Sequence, residues 1–260
     1  MSTRRVLFGG GALVAGWLIA CVIVGFAYES RVTSRVTERL GESLKADATV
    51  DAADLAMVRG RLSFDRLAVR RDDLIGKLEL DVDEVRCELP PLGGALFDRE
   101  CRELAVRGAR LEVSAAAVFQ IRNPKRPPIR ARHLTIDDAV LAFAPSAILP
   151  NIGRIEIQID HAEAGPTVFK TPLSWLFSLE MLRARIVLPA RVTLELAYAD
   201  GVLSAMGTLF GSTPVAIPLA LPIPVGDAHD EVRQLVALGT DVAERLVAQR
   251  AQDWLRTKLR

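Results

Sequence analysis

The chain has 260 residues, half of them hydrophobic, and its 33 basic and 32 acidic side chains leave a formal net charge of +1. This near-neutral balance, without a concentrated basic block, argues against nucleic acid as a partner. The part of the chain after residue 28 is long enough for one sizeable core or one elongated domain.

An uncharged apolar run occupies the N-terminus from Val6 to Tyr28 and includes Trp17. A helix rises about 1.5 Å per residue, so this run can cross a hydrocarbon core about 30 Å thick. It continues well past the usual end of a cleaved signal peptide, which favours an intact anchor over residues 1–28. The sequence Leu18-Ile19-Ala20-Cys21 also fits the lipobox of bacterial lipoproteins, so cleavage and lipidation there remain an alternative. The basic residues on either side do not decide the orientation of the anchor.

A helical pattern follows the apolar run. Four apolar residues recur every four positions among polar ones, and they are Val32, Val36, Leu40 and Leu44. This spacing predicts an amphipathic linker helix over residues 29–46. Its narrow apolar stripe is compatible with packing on the next element, with a simple spacer and with a membrane-surface role.

Between residues 47 and 225 the period changes to two, as in Leu78, Leu80 and Val82. Alternating apolar and polar residues are typical of strands with one buried and one solvated face. Antiparallel sheets tolerate this arrangement, whereas parallel sheets covered by helices give continuous apolar runs. The sequence therefore predicts a mostly β domain built on an antiparallel sheet.

Two segments of this domain, 102–113 and 132–143, agree in every apolar position, and Asp65-Arg66-Leu67-Ala68-Val69 is a partial third copy. If Arg107-Gly108 and Asp137-Asp138 are two-residue turns, each copy is a hairpin with its apolar residues on one face. A bulge within one long strand explains the same spacing.

The end of the β region carries turn and edge signals. Residues 192–198 lead through Ala199-Asp200-Gly201 into 202–210, which predicts a hairpin with glycine supplying a positive φ. In the strand predicted at 215–225, prolines occupy alternate positions and remove amide donors from one side only: Pro214, Pro218, Pro222 and Pro224. Such a strand belongs at the edge of a sheet.

Two helices are predicted in the second half. Thr171 as N-cap and Pro172 in the first turn predict a short apolar helix over 172–182 that either plugs one end of the sheet or dips into lipid. Apolar residues at helical spacing predict a C-terminal amphipathic helix within residues 226–260. Docking on the sheet and lying on a membrane surface both fit this second helix.

The order of these elements resembles the AsmA-like proteins of Gram-negative envelopes. The resemblance includes the basic N-terminus, the single span, the linker, the opening strand pair from Ala48 to Val69 and the repeated units. It also includes the segment 207–214, which is followed by an apolar strand and a charged terminal helix. The chain is shorter than members of that family commonly are.

This resemblance implies a single-pass inner-membrane protein whose N-terminus is inside and whose bulk is periplasmic. It also implies a curved, taco-like or groove-like sheet, related to the repeating-β-groove lipid transfer proteins, and a role in outer-membrane lipid homeostasis. The predicted partners are membrane lipids, together with a possible envelope protein, and the oligomeric state stays open. The concave apolar face would contact acyl chains through Leu78, Leu80, Val82, Leu104, Val106, Leu111, Val113, Leu134, Ile136, Leu141, Phe143, Ile155, Ile157, Ile159, Val192, Leu194, Leu196, Ile217, Leu219 and Leu221.

The same alternating pattern arises when a protein's own helices cover the sheet. The alternative function is therefore an envelope scaffold whose groove is filled by its two helices and whose surface recruits a protein partner.

Catalytic and metal-binding patterns are weak. His133, His161 and His229 are scattered, without metal-ligand or triad spacing, and the glycines at 9–11 lie inside the predicted anchor. We therefore predict no enzymatic activity, no metal and no cofactor.

A disulfide is one possible use of the cysteines. Cys87 and Cys101 flank a Pro- and Gly-containing connection and could pair in an oxidising periplasm. Strict alternation from Leu104, however, puts Cys101 on the polar face, away from Cys87, so the disulfide requires a bulged strand.

Overall fold

A computed structural model describes most of the chain after residue 45 and a few residues before it. The described residues are 17, 33–35, 37–38, 41–42, 46–56, 58–73, 76–91, 100–114, 129–144, 154–171, 173–189, 192–208 and 211–258. Among them, no helix combines the length and the apolar character needed to cross a bilayer. The predicted anchor, with Val6 and Tyr28, lies outside the described residues except for Trp17, which is helical. The residues described between 33 and 42 are helical, and the rest of the predicted linker helix up to residue 45 lies outside the described residues.

The prediction of a mostly β protein is confirmed. Eleven strands of the described part form one mixed sheet, in the order β1-β2-β3-β4-β5-β6-β8-β9-β10-β11, with β7 paired to β5 off this path. The strands are β1 (Asp47–Ala56), β2 (Arg61–Asp73), β3 (Gly76–Glu88), β4 (Glu100–Ser114), β5 (Ile129–Ala144), β6 (Ile155–Ala164), β7 (Thr167–Phe169), β8 (Leu179–Leu188), β9 (Val192–Ala199), β10 (Val202–Gly207) and β11 (Gly211–Pro218).

The sequence predicts an antiparallel sheet, whereas the sheet in the structure is mixed. Strands β4 and β5 are parallel, while the other pairs are antiparallel. Two parallel strands need a crossover of about a dozen residues or more, and the segment 115–128 between β4 and β5 has that length. The two sequence copies therefore lie side by side with a constant offset, so that Leu104 pairs with Leu134 and Val113 with Phe143.

The predicted hairpins inside the two copies are wrong, because each copy is one continuous strand. The residues expected in turns instead adopt the left-handed conformation in mid-strand, with φ of 64° at Gly108 and 55° at Asp138. A left-handed residue interrupts the alternation of side chains. Val106 and Ala109, three positions apart, therefore pack into the same apolar clusters. A local irregularity in one long strand, the alternative to a turn, is what the structure contains.

The third partial copy has the same irregularity. Arg66 in β2 has a φ of 50° and is joined to Asp51 of β1 by an ion pair of 3.2 Å. Strand pairing through β3 aligns Leu67 with Val82 and Val82 with Ala109. The third copy therefore corresponds to the second half of the longer copies, from their left-handed residue onwards.

Three other predicted features of the β region are present. Ala48 pairs directly with Val69 in the opening strand pair. Strands β9 and β10 form the predicted hairpin, whose turn residues Asp200 and Gly201 have φ of 51° and 73°. Strand β11 is the edge strand, paired only with β10 in the described part, although it ends at Pro218 rather than continuing to residue 225.

The short helix predicted over 172–182 is mostly wrong. A single 3-10 turn covers Ser174–Ser178, and the following residues, from Leu179, belong to strand β8. Trp175 and Phe177 are buried in this turn. Leu179 and Leu182 also occur at helical spacing after Trp175, but they contact the same core from a strand. A short apolar segment fits either structure, and pairing with β6 decides this one.

The predicted C-terminal helix is confirmed as α1 (Ala228–Lys258). Its first turn contains Asp230 and Glu231, which complement the positive end of the helix dipole. Val232 and Leu246 are buried, and Leu238 and Val242 pack against the main core cluster. The helix is therefore docked on the apolar face of the sheet at the β11 end.

Candidate functional site

The candidate site is the apolar face of the sheet, which strand pairing builds as rows of apolar side chains. One row runs along directly paired residues, namely Val69, Leu80, Leu111, Leu141, Ile157, Ile186 and Leu194. A second row follows Phe64, Val85, Val106, Ile136, Ala162, Leu182, Tyr198, Leu203 and Ile217. Cross-strand partners share a face, so the sheet carries a continuous apolar surface.

The structure brings the twenty predicted groove residues together on this face, and none of them is exposed. Nine are buried, among them Leu134 and Val113, and the other eleven are half-buried. The half-buried members are Leu80, Leu104, Val106, Leu111, Leu141, Phe143, Ile155, Ile157, Val192, Leu196 and Leu221. The apolar face is thus neither fully open nor fully filled.

One part of the face, the helix-covered half, is occupied by the protein's own side chains. It extends from β5 to β11, where the 3-10 turn contributes Trp175 and Leu176 to the core cluster. Helix α1 contributes Leu238, Val242 and Leu246 to the same cluster. These residues pack over the apolar face in this half, where sheet residues such as Ile157 and Leu196 stay half-buried.

The other part, the β1–β5 half, is built differently. Its buried centre consists of Leu67, Val69, Leu78, Val82 and Val113, all from strands β2 to β4. Its neighbours are partly buried side chains from β1 to β5, including Leu80, Val85, Leu111, Leu141 and Phe143. In the part of the chain that the structure describes, neither the 3-10 turn nor helix α1 contributes to this cluster. This half retains accessible apolar surface.

A disulfide joins Cys87 of β3 to Cys101 of β4. The prediction that Cys101 lies on the polar face is wrong, since Cys101 is buried with Cys87 and Ala131 and packs near Leu104. Arg102 and Glu103 are both exposed between them, so the alternation is broken there, and Cys101 and Leu104 both reach the apolar side. The alternation is thus interrupted where the disulfide requires it, although the pairing of β4 with β5 keeps one register.

A buried carboxylate fastens helix α1 to the 3-10 turn. Glu231 is only 1% exposed, and its Oε2 accepts hydrogen bonds from Ser174 Oγ at 2.7 Å and from Thr171 Oγ1 at 3.3 Å. Lys170 Nζ lies 3.7 Å from Oε1 and donates a hydrogen bond to the backbone oxygen of Gly226. We call these contacts the Glu231 latch, and they position the helix over the apolar face.

The opposite face of the sheet is polar and ion-paired. His161 lies between two carboxylates, with Nδ1 2.6 Å from Asp137 and Nε2 3.0 Å from Glu163. The hydrogen bond with Asp137, followed by that with Glu163, raises the pKa of His161 above its ordinary value. Lys77 likewise bonds Glu79, which raises the lysine pKa.

Within the described residues, no group of three or more histidine, cysteine or acidic side chains could hold a metal ion. The other two histidines lie apart from His161: His133 is on β5, and His229 is at the start of helix α1. The described contacts of the polar face are therefore surface ion pairs and hydrogen bonds, and the apolar face remains the candidate site.

The sequence predicts that two helices could cover the sheet, but it gives no role to Glu231, which fastens the second of them. An acidic residue in a first helical turn is common, so its sequence position did not distinguish it. Only contact with Ser174, 57 positions away, identifies the carboxylate as buried.

In comparisons with known proteins, neither a protein-family model nor a curated sequence matches the chain. The similarity to AsmA-like proteins therefore rests on the order of elements and on the repeated apolar pattern.

Proposed function

We propose that this is a membrane-anchored, periplasmic lipid-binding or lipid-homeostasis protein of AsmA-like type, which performs no chemistry. In this proposal residues 1–28 anchor the chain in the inner membrane, and the sheet contacts acyl chains. The observation that carries it is the accessible apolar surface of the β1–β5 half, where Leu80, Leu111 and Leu141 are paired in one row and only half-buried.

The physical basis is the removal of hydrocarbon from water. Each methylene buried in an apolar environment gains about 0.8 kcal/mol, so a few contacts along an acyl chain suffice for binding without a covalent step. Apolar rows of this length across several strands match an extended chain better than a compact ligand. A lipid would complete the burial of Leu111 and Phe143, which the described residues leave partial.

The disulfide supports the proposed periplasmic location of the sheet. Structural disulfides persist in oxidising environments such as the periplasm and are rare in the cytosol. The bond between Cys87 and Cys101 is buried in the apolar cluster near Ala131, as expected for a structural bond. It therefore supports an extracytoplasmic sheet, although the charges around the predicted anchor do not decide orientation.

A second candidate function is an envelope scaffold that recruits a protein partner. The observation that favours it is the helix-covered half, where Trp175, Leu238 and Leu246 belong to the main core. If the remaining apolar surface binds a protein rather than lipid, the same face performs a different task.

Site-specific photocrosslinking separates the two functions. A benzophenone side chain is placed at Leu111, on the apolar face of β4, in the full chain expressed in a Gram-negative host. The matched control is the neighbouring Arg110, which is exposed on the polar face of the same strand. We expect lipid adducts at position 111 by mass spectrometry and none at position 110.

Protein adducts at position 111 without lipid would favour the scaffold. Equal lipid labelling at both positions would contradict the lipid-binding proposal, because the label would then report general proximity to a membrane. Thermal unfolding of both labelled variants, followed by circular dichroism, checks that each retains the sheet.

A further inference from the structure

Helix α1 extends beyond its docking site. Its buried residues up to position 256 are Glu231, Val232 and Leu246, and none of residues 247–256 is buried. The segment 247–258 is nevertheless helical to its last described residue. We call this segment the overhang of α1.

The overhang carries an apolar stripe that the sheet does not cover. Val247 is 64% exposed and Trp254 is 55% exposed, and they are seven residues apart, about two helical turns. Val236, 57% exposed and three turns before Val247, continues the stripe towards the docked part. Leu255 is 51% exposed beside Trp254. Large exposed apolar side chains aligned on one side of a helix mark an interaction surface.

The charge of the helix is divided in the same way. Residues 228–246 contain four acidic and two basic side chains, whereas residues 247–260 contain four basic residues and one acidic residue. Within the overhang, Arg250 is half-buried and Arg256 is exposed. The dipole of the helix favours this distribution, but it does not account for the exposed tryptophan.

We infer that the overhang of α1 lies on an anionic phospholipid surface, with Trp254 and Leu255 among the headgroups and the basic residues on lipid phosphates. A basic helix with tryptophan and leucine on its apolar side has the composition of an interfacial membrane helix. Tryptophan fits the boundary because its ring is apolar and its N–H needs a polar partner. Two overhangs facing each other would bring like charges together, which argues against self-association. This contact goes beyond acyl-chain binding by the sheet.

Fluorescence of a site-specific label tests the contact in the full chain. Cys21→Ala removes the remaining thiol, since Cys87 and Cys101 form a disulfide. A nitrobenzoxadiazole label is then attached at Ala251→Cys, one turn before Trp254 and Leu255. The matched control is Gln252→Cys, which is also exposed but points to the other side of the helix.

The labelled proteins are reconstituted into phosphatidylcholine vesicles with or without phosphatidylglycerol. We expect a blue shift of the label at position 251 with phosphatidylglycerol, its loss in the Trp254→Glu background and its reduction at high salt. The label at position 252 should keep the emission wavelength that it has in water. Identical spectra at the two positions, or a shift that does not need anionic lipid, would overturn the inference. A shift that disappears when protein is diluted in lipid would also overturn it, since it would indicate a second copy.

Discussion

At the scale of single residues, left-handed backbone conformations shape the apolar face. Arg66, Gly108 and Asp138 have positive φ values at corresponding positions of β2, β4 and β5. Each interrupts the strict alternation that would otherwise turn the following apolar residues to solvent. Gly108 has the least freedom to change, because an added Cβ would overlap the side chain of Asp83 on β3.

Gly108→Ala should lower the free energy of unfolding by about 1–3 kcal/mol, because alanine resists positive φ and its Cβ displaces Asp83. Denaturant unfolding of the full chain in detergent, followed by circular dichroism, measures the change. The control is Gly239→Ala in helix α1, where an added Cβ meets open space and should stabilise by about 0.5–1 kcal/mol. Equal effects of the two substitutions would show that the backbone conformation at position 108 does not require glycine.

At the scale of elements, the Glu231 latch decides how helix α1 covers the sheet. The carboxylate is almost wholly removed from water, so its hydrogen bonds with Ser174 and Thr171 are what make its burial tolerable. Lys170 supplies the nearby positive charge. The covered half of the apolar face therefore depends on a polar contact at its end.

Glu231→Ala leaves two buried hydroxyl groups without their acceptor and should destabilise helix docking by about 2–4 kcal/mol. Hydrogen exchange followed by mass spectrometry should show faster exchange over the first turns of α1 than in the unsubstituted chain. Glu244→Ala, at an exposed position of the same helix, is the control and should leave exchange unchanged. If both variants exchange alike, the latch does not hold the helix.

At the scale of the whole molecule, one sheet has two unlike halves. Trp175 and helix α1 contribute to the core cluster of the helix-covered half, while neither contributes to the cluster of the β1–β5 half, and half-buried apolar side chains such as Ile157 and Leu111 occur in both. The disulfide between Cys87 and Cys101 joins β3 to β4 within the β1–β5 half. Within the described residues, the architecture thus combines a helix-covered part of the apolar face with a part that helix α1 does not cover.

The oxidation state of the cysteines reports the compartment of the whole sheet. In intact cells expressing the full chain, Cys87 and Cys101 should resist alkylation until a reductant is added, because an oxidising periplasm preserves their bond. Mass spectrometry after acid quenching, denaturation and alkylation distinguishes the two states, because denaturation removes the shielding that burial gives to both cysteines. Alkylation of Cys87 and Cys101 without reductant would place the sheet in a reducing compartment and contradict the proposed topology.

The local pattern of polar and apolar residues was sufficient to predict much of the fold. Alternation identified a mostly β protein and, within each uninterrupted run such as Leu78, Leu80 and Val82, the residues that share a face, because side chains on a strand alternate whatever the strand pairs with. Prolines such as Pro214 and Pro218 identified the edge strand, since a missing amide donor has the same consequence in any sheet. Periodicity also identified helix α1.

Only the tertiary structure decided what depends on residues far apart in the chain. The parallel pairing of Leu104 with Leu134 and the disulfide at Cys101 follow from strand neighbours and from interrupted alternation, which local patterns do not encode. The contact of Glu231 with Ser174 likewise requires a docked helix. The sequence by itself determined that the protein has an apolar face. Packing decided which half of that face is covered, because burial is a property of the assembled chain.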